Sequence, residues 1–167
     1  MVWWFKPQGV MRRDPLMWAL AMPAPNTVEE MLETLRNVSD MKSQVEMRVY
    51  ELADEFWATL APATIDFMIG EWKGGEFHTG HQANGFMKRL NWFGKTFHSA
   101  TDAKPLVCLD ADGTKFSNSE AMNGEASLWM EEFRGELVAS MVYDGKPVHD
   151  HFKVIDDNAV LGIMNGK

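Results

Sequence analysis

The sequence predicts a mainly β fold: an antiparallel barrel preceded by an N-terminal helical segment. Three observations lead there. Short apolar-alternating runs recur through the second half, separated by tight-turn pairs. Residues 27–60 instead carry apolar residues at helical spacing. Pro62 then marks the point where one pattern gives way to the other.

Residues 1–25 hold Trp3, Trp4, Phe5 and Trp18 without clear periodicity and read as an irregular arm. Arg12 and Arg13 precede a short apolar run over residues 16–22, which loosely imitates a secretory signal. The run is too short for one, and Asp14-Pro15 interrupts the approach to it. No stretch reaches the roughly 20 apolar residues of a membrane span.

Thr27-x-x-Glu30 has the form of a capping box and opens the helix. Val28, Met31, Leu35, Val38, Val45, Val49, Leu52 and Phe56 follow on one stripe, broken by Lys42. Such a stripe must be buried, either on the barrel or against the same helix of a second chain in a homodimer. Ser39-Asp40 offers a point of division. Residues 1–60 are therefore expected as an arm and helix, and residues 61–167 as the barrel domain.

Residues 65–69 read as a helical turn and residues 70–77 as the first strand of that domain. Residues 82–90 suit a short helix, with Phe86 and Leu90 on one face. Strands are expected at 95–98, 106–109, 126–133, 137–143, 148–155 and 160–164. Asp112-Gly113, Arg134-Gly135, Asp144-Gly145 and Asp157-Asn158 supply the turns. Evenly spaced strands of this kind make a meander that closes into a barrel or sandwich.

Register follows from the turns. If Asp144-Gly145 is a two-residue turn, Met141 faces Val148 and Leu137 faces Phe152. If Asp157-Asn158 is another, Val154 faces Leu161 and Phe152 faces Ile163. Partners share a face. Both hairpins thus put Leu137, Ala139, Met141, Tyr143, Val148, Asp150, Phe152, Val154, Leu161 and Ile163 together, as an interior. His149 and His151 fall on the opposite face. Asp150 is the odd member, a carboxylate among apolar neighbours. It needs a hydrogen-bonding partner, or it serves as an acid, base or ligand anchor in a cavity.

Composition narrows the function. The net charge of −8 disfavours nucleic acid and anionic membrane surfaces as partners. The single cysteine, Cys108, excludes an internal disulfide and fits a cytoplasmic home. Its apolar neighbours make it a small buried hydrophobe rather than a nucleophile. The 13 Met and 7 Trp suit an adaptable core, or a pocket for a bulky apolar ligand. There is no Gly-x-Ser-x-Gly elbow and no phosphate-binding Gly-Lys-Ser/Thr loop.

Gly70-Glu71-Trp72-Lys73-Gly74, followed by Phe77-His78-Thr79-Gly80-His81, resembles the signature of the bacterial GXWXG family. Asn91-Trp92-Phe93-Gly94-Lys95 and Pro105-Leu106-Val107 are also similar to that family. Met141-Val142-Tyr143-Asp144, Pro147-Val148-His149-Asp150-His151-Phe152 and Val160-Leu161-Gly162 resemble its accompanying C-terminal domain of unknown function. The resemblance implies a lipocalin-like (calycin) barrel with Trp72 closing one end. It brings no established activity. Nitrobindins, distantly similar calycins, bind haem through a late histidine, for which His149 or His151 would be the counterpart. The outward register of both works against that, so haem is the alternative to having no cofactor.

His149-x-His151 on one strand face, with His78 and His81, are the candidate metal ligands, but no acidic cluster accompanies them and no metal is expected. Two functional classes follow. The first is a barrel binding a small apolar or amphipathic molecule (a lipid, terpenoid or tetrapyrrole) through Trp72, Leu137, Met141, Val148, Phe152, Leu161 and Ile163. The second is a small cofactor-free isomerase, hydratase or decarboxylase. It would transfer protons through Asp150 and Tyr143.

Overall fold

The computed structural model describes residues 2–7, 29–33, 46–81 and 83–166. Val28, Leu35, the capping box at Thr27 and the apolar run over residues 16–22 lie outside them. Among the described residues are ten strands and three labelled helices. They are β1 (Val2–Pro7), α1 (Glu46–Thr59), β2 (Ala61–Pro62), α2 (Ile65–Met68), β3 (Gly70–Glu76), α3 (Phe86–Arg89) and β4 (Trp92–Ser99). Next come β5 (Asp102–Leu109), β6 (Lys115–Ser117), β7 (Ala126–Phe133), β8 (Glu136–Tyr143), β9 (Val148–Asp156) and β10 (Ala159–Gly166). Residues 29–33 are also helical.

The described pairings are antiparallel. Following β10–β1–β3–β4–β5–β7–β8–β9 returns to β10, because β9 and β10 also pair, so the sheet curls into a lipocalin-like barrel. Its narrowest seam is between β5 and β7, joined in register at Ala103 and Ala126. β1 is a surprise at sequence level: Val2–Pro7, expected as irregular arm, bridges β10 and β3. Its Trp-Trp-Phe cluster lacks alternation, so periodicity could not reveal it.

Helix α1 packs on the outside. Val49, Ala53, Phe56, Trp57 and Leu60 are buried with Leu32, Phe77, Leu161 and Ile163 in one cluster, distinct from the barrel interior. Val49 and Phe56 thus cover this chain's own barrel, with Leu52 partly buried beside them. After α1 the chain enters the sheet where β8 and β9 part. The backbone of Ala63 donates to Phe152 O at 3.2 Å and accepts from Ala139 N at 2.9 Å. That segment satisfies ladder groups that the separated strands leave open.

The interior cluster holds Met68, Trp72, Phe97, Leu106, Cys108, Leu128, Ala139, Met141, Tyr143, Phe152 and Val160. Trp72 is buried and its Nε1 donates to Met68 O at 2.7 Å. α2, capped by Thr64 Oγ1 accepting from Phe67 N, also touches β7 and β8. Since β4 and β5 separate β3 from β7 in the ring, a helix that meets both sides crosses the barrel mouth, and Trp72 seals it.

Two of the expected hairpin registers moved, with different consequences. Residues 144–147 make a longer connection than a two-residue turn, so Met141 pairs with Asp150 rather than Val148. That shift is two residues, so every side chain keeps its face. In the β9–β10 hairpin a bulge lies between Ala159 and Val160, and Val154 pairs with Val160. A one-residue shift exchanges the faces of β10. Leu161 and Ile163, expected inside, therefore lie outside beneath α1, while Val160 and Met164 join the interior. Leu137, also expected inside, is 59% exposed because the β7–β8 hairpin runs past the barrel.

Candidate functional site

Inside the barrel, β8 and β9 bring Tyr143 and Asp150 together, and β4 adds a residue that the sequence analysis missed, Lys95. Asp150 is fully buried and Lys95 is 1% exposed. Lys95 Nζ lies 2.9 Å from Asp150 Oδ2. It also donates to Tyr143 Oη at 3.2 Å and to Pro105 O at 3.3 Å. Tyr143 Oη donates to the same Asp150 Oδ2 at 3.3 Å. Asp150 Oδ1 is buried without a hydrogen-bond partner.

Aromatic rings complete the setting. The ammonium sits 5.6 Å from the Trp92 ring centroid and 5.5 Å from that of Tyr143. Trp92 Nε1 donates to Pro105 O at 3.3 Å, the carbonyl that Lys95 also uses. Two glycines, Gly74 and Gly94, explain this packing. A Cβ at Gly74 would come within 2.1 Å of the Trp92 ring, and one at Gly94 within 1.9 Å of Trp72 O. Gly70 has φ of +137°, open to glycine at little cost.

Burial sets the protonation chemistry. Desolvation pushes the Lys95 ammonium down from its ordinary range, and the Asp150 charge opposes this. Tyr143 is pushed well up, first by burial and then by the neighbouring carboxylate, so its hydroxyl keeps its proton and donates. The arrangement can hold a polar group in an apolar interior, or relay a proton through Asp150.

The predicted ligand-lining residues divide. Met141 and Phe152 are buried in the interior with Trp72, and Val148 packs against it partly exposed. Leu137, Leu161 and Ile163 do not join them. A signal for Lys95 existed in its alternation with Phe97, but a lysine in a strand ordinarily reads as outward.

The histidines lie elsewhere. On the outer face, His151 Nδ1 shares a 2.7 Å hydrogen bond with Ser140 Oγ, and its ring stacks on Phe133 with centroids 3.8 Å apart. His149 Nδ1 meets Glu131 Oε2 at 2.8 Å. His78 is exposed, and His81 Nδ1 accepts from Ala83 N at 3.1 Å. Among the described residues no three His, Cys, Asp or Glu side chains form a group that could hold a metal ion. Nor is any described helix long and apolar enough to cross a membrane.

A family described as "GXWXG protein" matches residues 55–113, and "Domain of unknown function (DUF4334)" matches residues 124–167. No curated protein matches the chain. A solved structure, "Crystal structure of protein from Thermomonospora curvata", is 35% identical with a TM-score of 0.69, covering 84% of this chain and 89% of that one. The Gly70-x-Trp72-x-Gly74 signature lies within the first match: the chain belongs to the GXWXG proteins and carries the domain of unknown function over residues 124–167.

Proposed function

We propose that the barrel binds a small, largely apolar molecule whose polar group meets Asp150. The observation that carries this is the unpartnered Oδ1 of a fully buried carboxylate. Buried polar atoms are nearly always bonded, and an orphan in an otherwise apolar interior invites a ligand group. Leu90, Trp92, Met122, Val148 and Met164 are partly buried against the interior cluster and keep its margin apolar. Methionines there can repack around a guest. His149 and His151 lie on the outer face and His78 and His98 are exposed, so this reading includes no haem.

Native mass spectrometry of gently purified protein tests the reading, together with displacement of the apolar dye 1-anilinonaphthalene-8-sulfonate. A retained small molecule that competes with the dye supports it. A bare protein mass with no dye binding rejects it.

The second reading is cofactor-free proton transfer through Asp150 and Tyr143. It is favoured by the convergence of Tyr143 Oη and Lys95 Nζ on one carboxylate oxygen. Under it, Asp150→Asn removes turnover while ligand binding stays within a few fold of the parent.

A further inference from the structure

We propose that the ligand's polar group is an uncharged hydrogen-bond donor, of the alcohol or phenol class, rather than a carboxylate or a simple carbonyl. This rests on the binding reading above and adds the head group to it.

The inference comes from accounting for every proton at the site. An ammonium has three N–H donors. Lys95 Nζ has Asp150 Oδ2, Tyr143 Oη and Pro105 O as acceptors within 3.3 Å. Tyr143 has one hydroxyl proton, and it goes to Asp150 Oδ2. The donors of the cluster are therefore committed. The remaining unsatisfied atom is an acceptor, Asp150 Oδ1.

Charge points the same way. Lys95 and Asp150 already neutralise one another at 2.9 Å. An entering carboxylate would meet no further cation in the cluster among the described residues, and would place its own charge beside that of Asp150 in a desolvated interior. A ketone, aldehyde or ether brings only acceptors to an atom that needs a donor. A hydroxyl supplies the missing proton and makes a charge-assisted hydrogen bond.

The surroundings suit an apolar tail on that hydroxyl. Met164 pairs with Asp150 in register, and Val148 lies on the same face two residues before it. Both are only partly buried, as is Trp92 beside Lys95. These are the apolar side chains that share the strand face of Asp150 or flank its ion-pair partner. An open groove lined by Pro147, His149, Asn165 and Gly166 adjoins the same ends of β9 and β10.

The test is a matched ten-carbon set at pH 8: 1-decanol, decanal and decanoate, titrated into the full chain by calorimetry and tryptophan fluorescence. Decanol is expected to bind about tenfold or more tightly than decanal or decanoate, as one charge-assisted bond implies. Asp150→Asn keeps the shape but removes the charge, and should cut the advantage of the alcohol to within a few fold. Decanoate binding as tightly as decanol, or affinity indifferent to the head group, overturns this inference and leaves the binding reading standing. Failure of all three probes to bind overturns both. The wild-type series decides the matter even if the variant does not fold.

Discussion

The indole of Trp92 fills the space that a side chain at Gly74 would need, since an added Cβ would lie 2.1 Å from its ring. The same indole flanks Lys95. Gly74→Ala should therefore displace Trp92 and disturb the buried cluster as well as the sheet. Gly94→Ala should be worse, because its Cβ would meet the Trp72 carbonyl, which is backbone and cannot rotate away. Overpacking of this kind costs about 1–3 kcal/mol, sometimes more. Urea unfolding should rank the parent above Gly74→Ala, and Gly74→Ala above Gly94→Ala. A harmless Gly94→Ala would contradict the β3–β4 packing described.

Trp72→Phe tests the sealed end. Phenylalanine fills most of the space but lacks the donor, leaving Met68 O without its 2.7 Å partner. Losing one such buried bond costs about 1–3 kcal/mol. Amide exchange should quicken over residues 65–69 while the β7–β8 hairpin keeps its protection. Uniform quickening across the barrel would instead mean that Trp72 supports the global fold rather than the end closed by α2.

How much of this could be read beforehand depended on parity. Asp150 and Tyr143 inside the barrel were legible because the error in the β8–β9 register was two residues. Leu161 and Ile163 were not, because a single bulge residue at Ala159/Val160 reverses β10. Leu137 alternates correctly but extends beyond the barrel, and alternation carries no information about where a sheet stops covering its own face. Lys95 was hidden for another reason. Its burial depends on a carboxylate 55 residues away in sequence, which no local pattern can supply. Trp72, set within a signature, needed no register at all.

The Lys95–Asp150 pair should behave as a unit. Removing one member of a buried pair strands the other charge, at a cost of about 3–5 kcal/mol. Lys95→Met is thus expected to be strongly destabilising. The double variant Lys95→Met/Asp150→Leu, which strands no charge, should recover much of the loss. Denaturant midpoints for the singles and the double give the coupling directly. Additive losses, with the double the least stable of all, would show that the two charges do not depend on one another.

His151 is 3% exposed and sits between the Ser140 hydroxyl and the Phe133 ring. Burial pushes its pKa below the ordinary 6.5. The charges of Glu131 and Asp150 oppose that shift, while those of His149 and Arg134 reinforce it. The unfolded chain therefore takes up a proton at a higher pH than the folded one. Stability must fall as pH drops below about 7, and the loss is complete once pH passes the folded value. The Nε2 atom of His151 has no partner, so the imidazolium, protonated on both nitrogens, carries a buried donor with nothing to receive it. Helix α1 should be affected first, because Trp57 packs edge-on against Phe133 at 5.8 Å. His151→Gln keeps a hydrogen-bonding side chain toward Ser140 and cannot titrate. Urea midpoints from pH 7.5 to pH 5 should decline for the parent and be flatter for His151→Gln. Equal slopes in the two proteins would place the acid sensitivity on another group.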